Sequence, residues 1–399
     1  MIPYDNFSFF LWLMIPIIPA VILGLFQASP RARSLWIMHA SLGMLYFILR
    51  PQAIFLQAVT YFIWEYVLIK YYLSYRQNET KNNRAYVFYL SIIGSLLPLI
   101  LVKLIPSQTT GLASSLDPMN SISYSTLGFL GISYVTFRIT GTLIEIRDGL
   151  IKEVNLGDFI SFVLFFPCLA SGPIDRYRRF LADLRKNLTR QEYICYMIEG
   201  IEYIGRGFLY KFIIAYLINK YALIPLDKAH GLWTTIQYMY AYSAYLFFDF
   251  AGYSTFAIGV SRFYGIKTPE NFRSPFWAKN IKDFWNRWHI SLSQWFRDYV
   301  YMRFVLVSIK KKLFSNRNMT SAIGYLLLFL LMGMWHGIHW HYIIYGLYMA
   351  LLMIGFDLLE QLNKKKHFWR DGLVWDMLAR FCTLQFICFG LLIFSGRLL

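Results

Sequence analysis

The chain has 399 residues, of which 57% are hydrophobic, 19% aromatic and only 15% charged, with a mean hydropathy of +0.43. Soluble domains carry about 25% charged residues, so this composition excludes an ordinary soluble enzyme. The 39 basic against 22 acidic side chains are read as cytoplasmic-loop charge of a membrane protein, with no nucleic acid as partner.

Apolar stretches of membrane-spanning length recur from end to end. Alternating ten-residue segments, which a β-barrel needs, do not. The fold class is therefore all-α, polytopic and integral to the membrane. Residues 7–26 form the first span, kinked at Pro16 and Pro19 and retained as a helix, because no basic stretch or cleavage site marks a signal peptide. SPRAR (29–33) and RQNETKNNR (76–84) are basic and cytoplasmic, with spans at 35–49, 52–73 and 85–104. PSQTTGLASSLDPMN (106–120) lacks Lys and Arg and reads as an extracellular loop.

The middle is less regular. Residues 121–146 mix polarities around Arg138, Glu145 and Arg147. FISFVLFFPCLASGP (159–173) is too short for an ordinary crossing and reads as re-entrant or as a short helix. Residues 175–187 are basic and cytoplasmic. Apolar segments near 193–223 and 232–260 follow, the first interrupted by Glu199, Glu202 and Arg206. Residues 267–317 are too charged to span and too aromatic for a solvated loop, which suits the membrane interface. The last spans fall near 321–335, 342–361 and 374–394, with KKKH (364–367) cytoplasmic. No repeat or separate soluble domain interrupts this order, so residues 1–399 read as one domain.

Chemistry concentrates at two places. His336 sits in LMGMWHGIHW (331–340) between Trp335 and Gly337. An imidazole costs far less to bury than a charge and exchanges a proton near neutral pH, so it suits a general base in a dry site; packing against its aromatic neighbours is the other reading. His339 and His341, two apart, fall on different helix faces, whereas His336 and His339, three apart, share one. No carboxylate lies in the cluster to complete a metal site, and none is assigned. The second place is WNRWHISLSQWFRDY (285–299), which, if helical, stacks Trp285, His289 and Ser293 on one face. An interfacial amphipathic helix explains the tryptophans and arginines there, but explains His289 less well. Cys168, Cys195, Cys382 and Cys388 show no paired spacing and no disulfide framework. No nucleophile elbow or phosphate loop is found. Residues 303–317 join an apolar strip to Lys310, Lys311, Lys312 and Arg317; anionic lipid or an acidic soluble partner fits this equally.

FRSPFWAKNIKDFWNRWHISLSQWFRDYVY (272–301), followed by the MWHG around His336, resembles the membrane-bound O-acyltransferase family. SGPIDRYRRF (171–180) and FDFAGYSTFAIGVSRFYGI (248–266) are similar to it too. The resemblance implies a ring of membrane helices around a mid-membrane active site, with interfacial and re-entrant helices. It implies that His336 is the family's near-invariant histidine. At the second polar position many members carry asparagine or aspartate; here it is His289, as in the branch that transfers D-alanine to teichoic acids. That branch implies a D-alanyl thioester on the phosphopantetheine of an acidic D-alanyl carrier protein. It also implies a hydroxyl acceptor on lipoteichoic acid or an intermediate carrier, possible accessory membrane proteins, and the cell membrane of a Gram-positive bacterium. The enzyme itself then binds no cofactor. Trp285, Trp335 and Ser293 become substrate-binding candidates, and Val305, Val307, Lys310, Lys311 and Lys312 carrier-docking candidates. A coenzyme A-dependent relative and a histidine-coupled transporter are the competing readings.

Overall fold

The computed structural model describes residues 2–49, 52–78, 84–104, 129–367, 369 and 372–398. The expected extracellular loop at 106–120 lies outside them, as does most of the second basic loop. Among the described residues the chain is helical throughout, with one isolated bridge, Phe272 to Trp288, in place of any strand. Seven helices among the described residues are long and apolar enough to cross a membrane: Phe7–Leu25, Gln52–Gln77, Ala85–Leu104, Arg190–Asp227, Arg317–His336, Trp340–Lys366 and Leu373–Phe394. The described residues form two compact units, Met1–Ile204 with Phe256–Pro269, and Gly205–Thr255 with Glu270–Leu399.

In the first unit, local chemistry sets the helix starts. Asn6 caps Phe7–Leu25 by accepting from the Phe9 N–H (3.0 Å), and Ser29 caps Pro30–Ile48, which opens on a proline. The Trp36 indole donates to the Pro16 carbonyl (2.9 Å), support from a neighbour that a proline-containing membrane helix needs. Residues 159–173 are indeed no crossing. They hold the end of a short helix, Leu156–Val163, and a 3₁₀ turn, Phe166–Cys168. Arg138, on the buried Ile132–Arg147 helix, donates to the Phe162 and Val163 carbonyls (3.3 and 3.2 Å) and to that of Cys168. A guanidinium thus serves the carbonyls that a short helix leaves unpaired at its end. Glu199, which interrupts the apolar run near 193–223, pairs with the buried Arg262 (2.9 Å).

In the second unit, Arg317–His336 and Trp340–Lys366 form a tight hairpin. A Cβ on Gly346 would collide with the Phe329 carbonyl, and one on Gly333 with that of Tyr342. Glycine there permits the close backbone approach. Lys211, on a π-helical turn (Phe208–Ala215), pairs with Asp249 at 2.6 Å. The interfacial stretch 267–317 resolves into two short pieces, Pro275–Trp277 and Ile281–Trp285, and a helical run in which Ile290–Phe296 continues through a π-helical turn, Arg297–Tyr301, into Met302–Lys310. Residues 285–299 are therefore not one continuous helix. The chain breaks between Trp285 and Ile290, so Trp285, His289 and Ser293 do not stack on a single face.

Candidate active site

The break is built by hydrogen bonds to a distant strand-like segment. The Arg273 N–H donates to the Arg287 carbonyl and the Ile290 N–H to the Asn271 carbonyl, both at 2.9 Å. The Ser291 hydroxyl donates to the buried Asn271 side-chain oxygen at 2.6 Å. Asn280 starts the preceding helix by accepting from the Asp283 N–H (2.8 Å), and Asp283 pairs with Arg287 one turn on (2.7 Å). Between these clamps His289 takes a left-handed backbone, φ 42° and ψ 52°. That conformation costs a non-glycine residue about 1 kcal/mol or more. The Ser293 N–H closes the next turn onto the His289 carbonyl (2.9 Å).

This backbone turns the His289 ring inward. It is 4% exposed and meets the Phe250 ring edge to face at 4.8 Å. Burial holds its imidazole well below the ordinary histidine range, and the neighbouring His336 adds in the same direction. His289 is thus a neutral hydrogen-bonding group, and the two histidines, far apart in sequence, lie within electrostatic reach of each other.

His336 is the last residue of its helix and is half-buried. Its ring lies 4.5 Å from Trp335, 4.9 Å from Phe394 and 5.9 Å from Tyr342. Because the helix ends there and Gly337 turns the chain, His336 and His339 do not share a helix face. His339 precedes the next helix, and its ring stacks on that of His341 at 5.6 Å, 3° from parallel. The sequence spacing had put those two on different faces; His339's place outside the helix brings them together. Among the described residues no group of three or more His, Cys, Asp or Glu side chains is placed to hold a metal ion.

A cavity of about 290 Å³ is lined by neighbours of both histidines, though by neither histidine itself. Trp285, Ile290 and Ser293 line it from the His289 side, and Met332, one turn before His336, from the other. Lys282 and Arg297 line it elsewhere, with Met302 at the start of the Met302–Lys310 helix. Trp285 is buried and packs on Phe329 (5.2 Å). The Ser293 hydroxyl donates to the Trp288 carbonyl (3.1 Å), so it is engaged in the turn as well as in the lining. Trp335 contacts His336 and is not among the lining residues.

The Met302–Lys310 helix buries Ser308 and exposes Leu306 (60%), Val307 and Ile309. Val305 is half-buried, and Lys310, Lys311 and Lys312 are exposed at the helix end. The sequence reading gave 303–317 an apolar strip without naming Leu306 and Ile309, which lie three apart and exposed on this helix; Leu313, also exposed, lies past its end. The same reading missed Asn271, for which no local signal exists, and Phe250, which lay inside a block noted only for its resemblance.

A family model described as the membrane-bound O-acyltransferase family matches residues 108–395. A teichoic acid D-alanyltransferase of Bacillus subtilis (strain 168) is 48% identical, the match covering 100% of this chain and 98% of that protein. Proteins of the same description from Lacticaseibacillus rhamnosus and Streptococcus thermophilus are 41% and 39% identical. Those matches cover 99% of this chain and 97% and 95% of the respective relatives.

Proposed function

From the premise that this chain belongs to the membrane-bound O-acyltransferase family, we propose that it transfers D-alanine from the phosphopantetheine thioester of a carrier protein to a hydroxyl of a teichoic acid. It is a multi-pass membrane acyltransferase; the acyl group, carrier and acceptor are the proposal. The full-length similarity to teichoic acid D-alanyltransferases supports the acyl group and acceptor, and a Gram-positive cell membrane as its location. The observation that carries the chemistry is that His289 and His336 lie within electrostatic reach of each other, with Ile290 next to one and Met332 one turn from the other on the same cavity wall.

The cavity takes the phosphopantetheine arm, with Trp285 and Ser293 along it and Trp335 backing the base. His336 removes the proton from the acceptor hydroxyl as its oxygen attacks the thioester carbonyl. The C–S bond breaks, and the departing thiolate receives the proton that His336 took. His289, held neutral, orients the reacting groups by hydrogen bonding without adding charge. Thiolate is a good leaving group, so positioning and a base suffice. The phosphopantetheine stays with the carrier, and the chain contributes no cofactor of its own.

A coenzyme A thioester carries the same arm. The exposed apolar stripe beside Lys310, Lys311 and Lys312 favours an acidic protein donor, since such a surface matches it in both charge and apolarity. Supplying D-alanyl carrier and D-alanyl coenzyme A separately to the purified enzyme decides between them. Consumption of the carrier thioester is the predicted result. Consumption of the coenzyme A form alone removes the carrier, and histidine-dependent solute movement with neither donor removes the enzyme reading in favour of transport.

A further inference from the structure

The first unit carries a basic cluster that the reaction above does not use. Arg76 lies in the last turn of Gln52–Asn78, and Arg147 ends Ile132–Arg147. The Arg76 Nη2 donates to the Arg147 main-chain carbonyl (3.1 Å), a cation at a helix C-terminus. That contact accounts for Arg76 but leaves the Arg147 side chain unexplained. Its guanidinium lies 4.2 Å from the centre of the Phe88 ring and 5.7 Å from that of Tyr89. Its Nη1 is buried without a hydrogen-bond partner, as are the Arg76 Nε and the Tyr72 hydroxyl. Tyr72 is within electrostatic reach of both arginines. Asp148 reaches it as well, a single exposed carboxylate against two guanidinium groups.

The cluster has a definite level in the membrane. Arg76 opens RQNETKNNR, the basic loop on the cytoplasmic side. Ala85–Leu104 begins at the other end of that loop. Its buried face carries Phe88, Ser91, Ser95 and Leu99; Tyr86, Leu90, Ile93 and Leu97 are exposed. The exposed positions recur at helical spacing, so they form one strip about 16 Å long that runs from the arginines into the apolar layer.

We infer that Arg76, Arg147 and Tyr72 bind the phosphate of an anionic phospholipid, whose acyl chains lie along this strip. The inference is independent of the acyl-transfer reading. A planar guanidinium fork matches two phosphate oxygens through charge-assisted hydrogen bonds, and a phenol donates to the same group. An anion between the arginines also offsets their mutual repulsion. Basic pockets between membrane helices on the cytoplasmic side take lipid headgroups for these reasons. Only a lipid fills both features at once, the charge at the membrane face and the apolar strip below it.

The test uses the full chain purified in detergent, with bound lipid counted by intact-mass measurement of the native protein. The probes are a short-chain phosphatidylglycerol, the phosphatidylcholine of the same chains, and glycerol phosphate. One phosphatidylglycerol per chain is expected, bound more tightly than either other probe. Arg147→Gln should weaken it by about tenfold, the loss of one charge-assisted hydrogen bond. Lys365→Gln makes the same change in net charge at another basic helix end and should leave binding unchanged. Unchanged binding in Arg147→Gln overturns the site. An equal loss in Lys365→Gln, or equal binding of phosphatidylcholine, overturns it too, because general charge or general lipid affinity then suffices. Glycerol phosphate bound as tightly as the lipid removes the lipid as occupant. Should Arg147→Gln fail to fold, Tyr72→Phe decides, since it deletes only a hydroxyl: weaker phosphatidylglycerol binding supports the site, and unchanged binding overturns it.

Discussion

At the scale of single residues, the two histidines differ in how they are held. His336 ends a helix against three rings and stays half-buried; His289 is buried in a left-handed turn. His336→Ala should lower kcat by about 10²–10⁴-fold, the usual contribution of a general base, in a protein that keeps its fold; near-normal turnover in a well-folded variant would remove the mechanism. Asparagine tolerates the left-handed backbone, so His289→Asn should preserve the turn and report on the imidazole alone. His289 also predicts a stability profile. Its folded pKa lies below the unfolded value of about 6.5, so the unfolded state binds the proton that the folded state refuses. Stability is then full above that value and falls as pH drops below it. Melting temperatures in detergent between pH 7.5 and 5 should decline for wild type and decline less for His289→Asn; parallel curves would contradict this. His336 was legible because an imidazole between tryptophan and glycine in an apolar run has few uses. The turn at His289 was not legible. NRWH carries no glycine or proline, and the clamp comes from Asn271, whose partnership with Ser291 is visible only once the chain is folded.

At the scale of elements, hydropathy located the long helices well, because length and apolar content are local properties. It located the mixed segments poorly. Ile132–Arg147 is helical and buried despite its charges, since Arg138 finds carbonyls on another element. Residues 285–299 could be read as one helix because period-four spacing cannot show a break made by outside partners. The hairpin of Arg317–His336 and Trp340–Lys366 depends on Gly346 against the Phe329 carbonyl. Gly346→Leu should cost about 1–3 kcal/mol from overpacking and displace His336; thermal melting together with activity would show it, and an unaltered melting temperature would contradict the close approach. On the Met302–Lys310 helix, Lys310→Glu, Lys311→Glu and Lys312→Glu together should raise the KM for the carrier and abolish its salt dependence while sparing kcat. A Val307→Asp variant should act on the same KM through the apolar stripe. Unchanged carrier kinetics in both would return the helix to a lipid-anchoring role.

At the scale of the whole molecule, composition alone established a polytopic helical membrane protein, and the paired histidine motifs carried the family. What one sequence did not display is the second unit's assembly of the site from Phe250, Asn271, His289, His336 and Phe394, five residues spread over most of its length. The most direct test of the central claim uses the purified protein in lipid vesicles with carrier protein loaded with radiolabelled D-alanine. A hydroxyl acceptor is present or absent, and wild type is compared with His336→Ala. Label is expected on the acceptor with wild type and none with the variant. Label reaching the acceptor equally with both, or carrier thioester left intact while labelled D-alanyl coenzyme A is consumed, would contradict that claim.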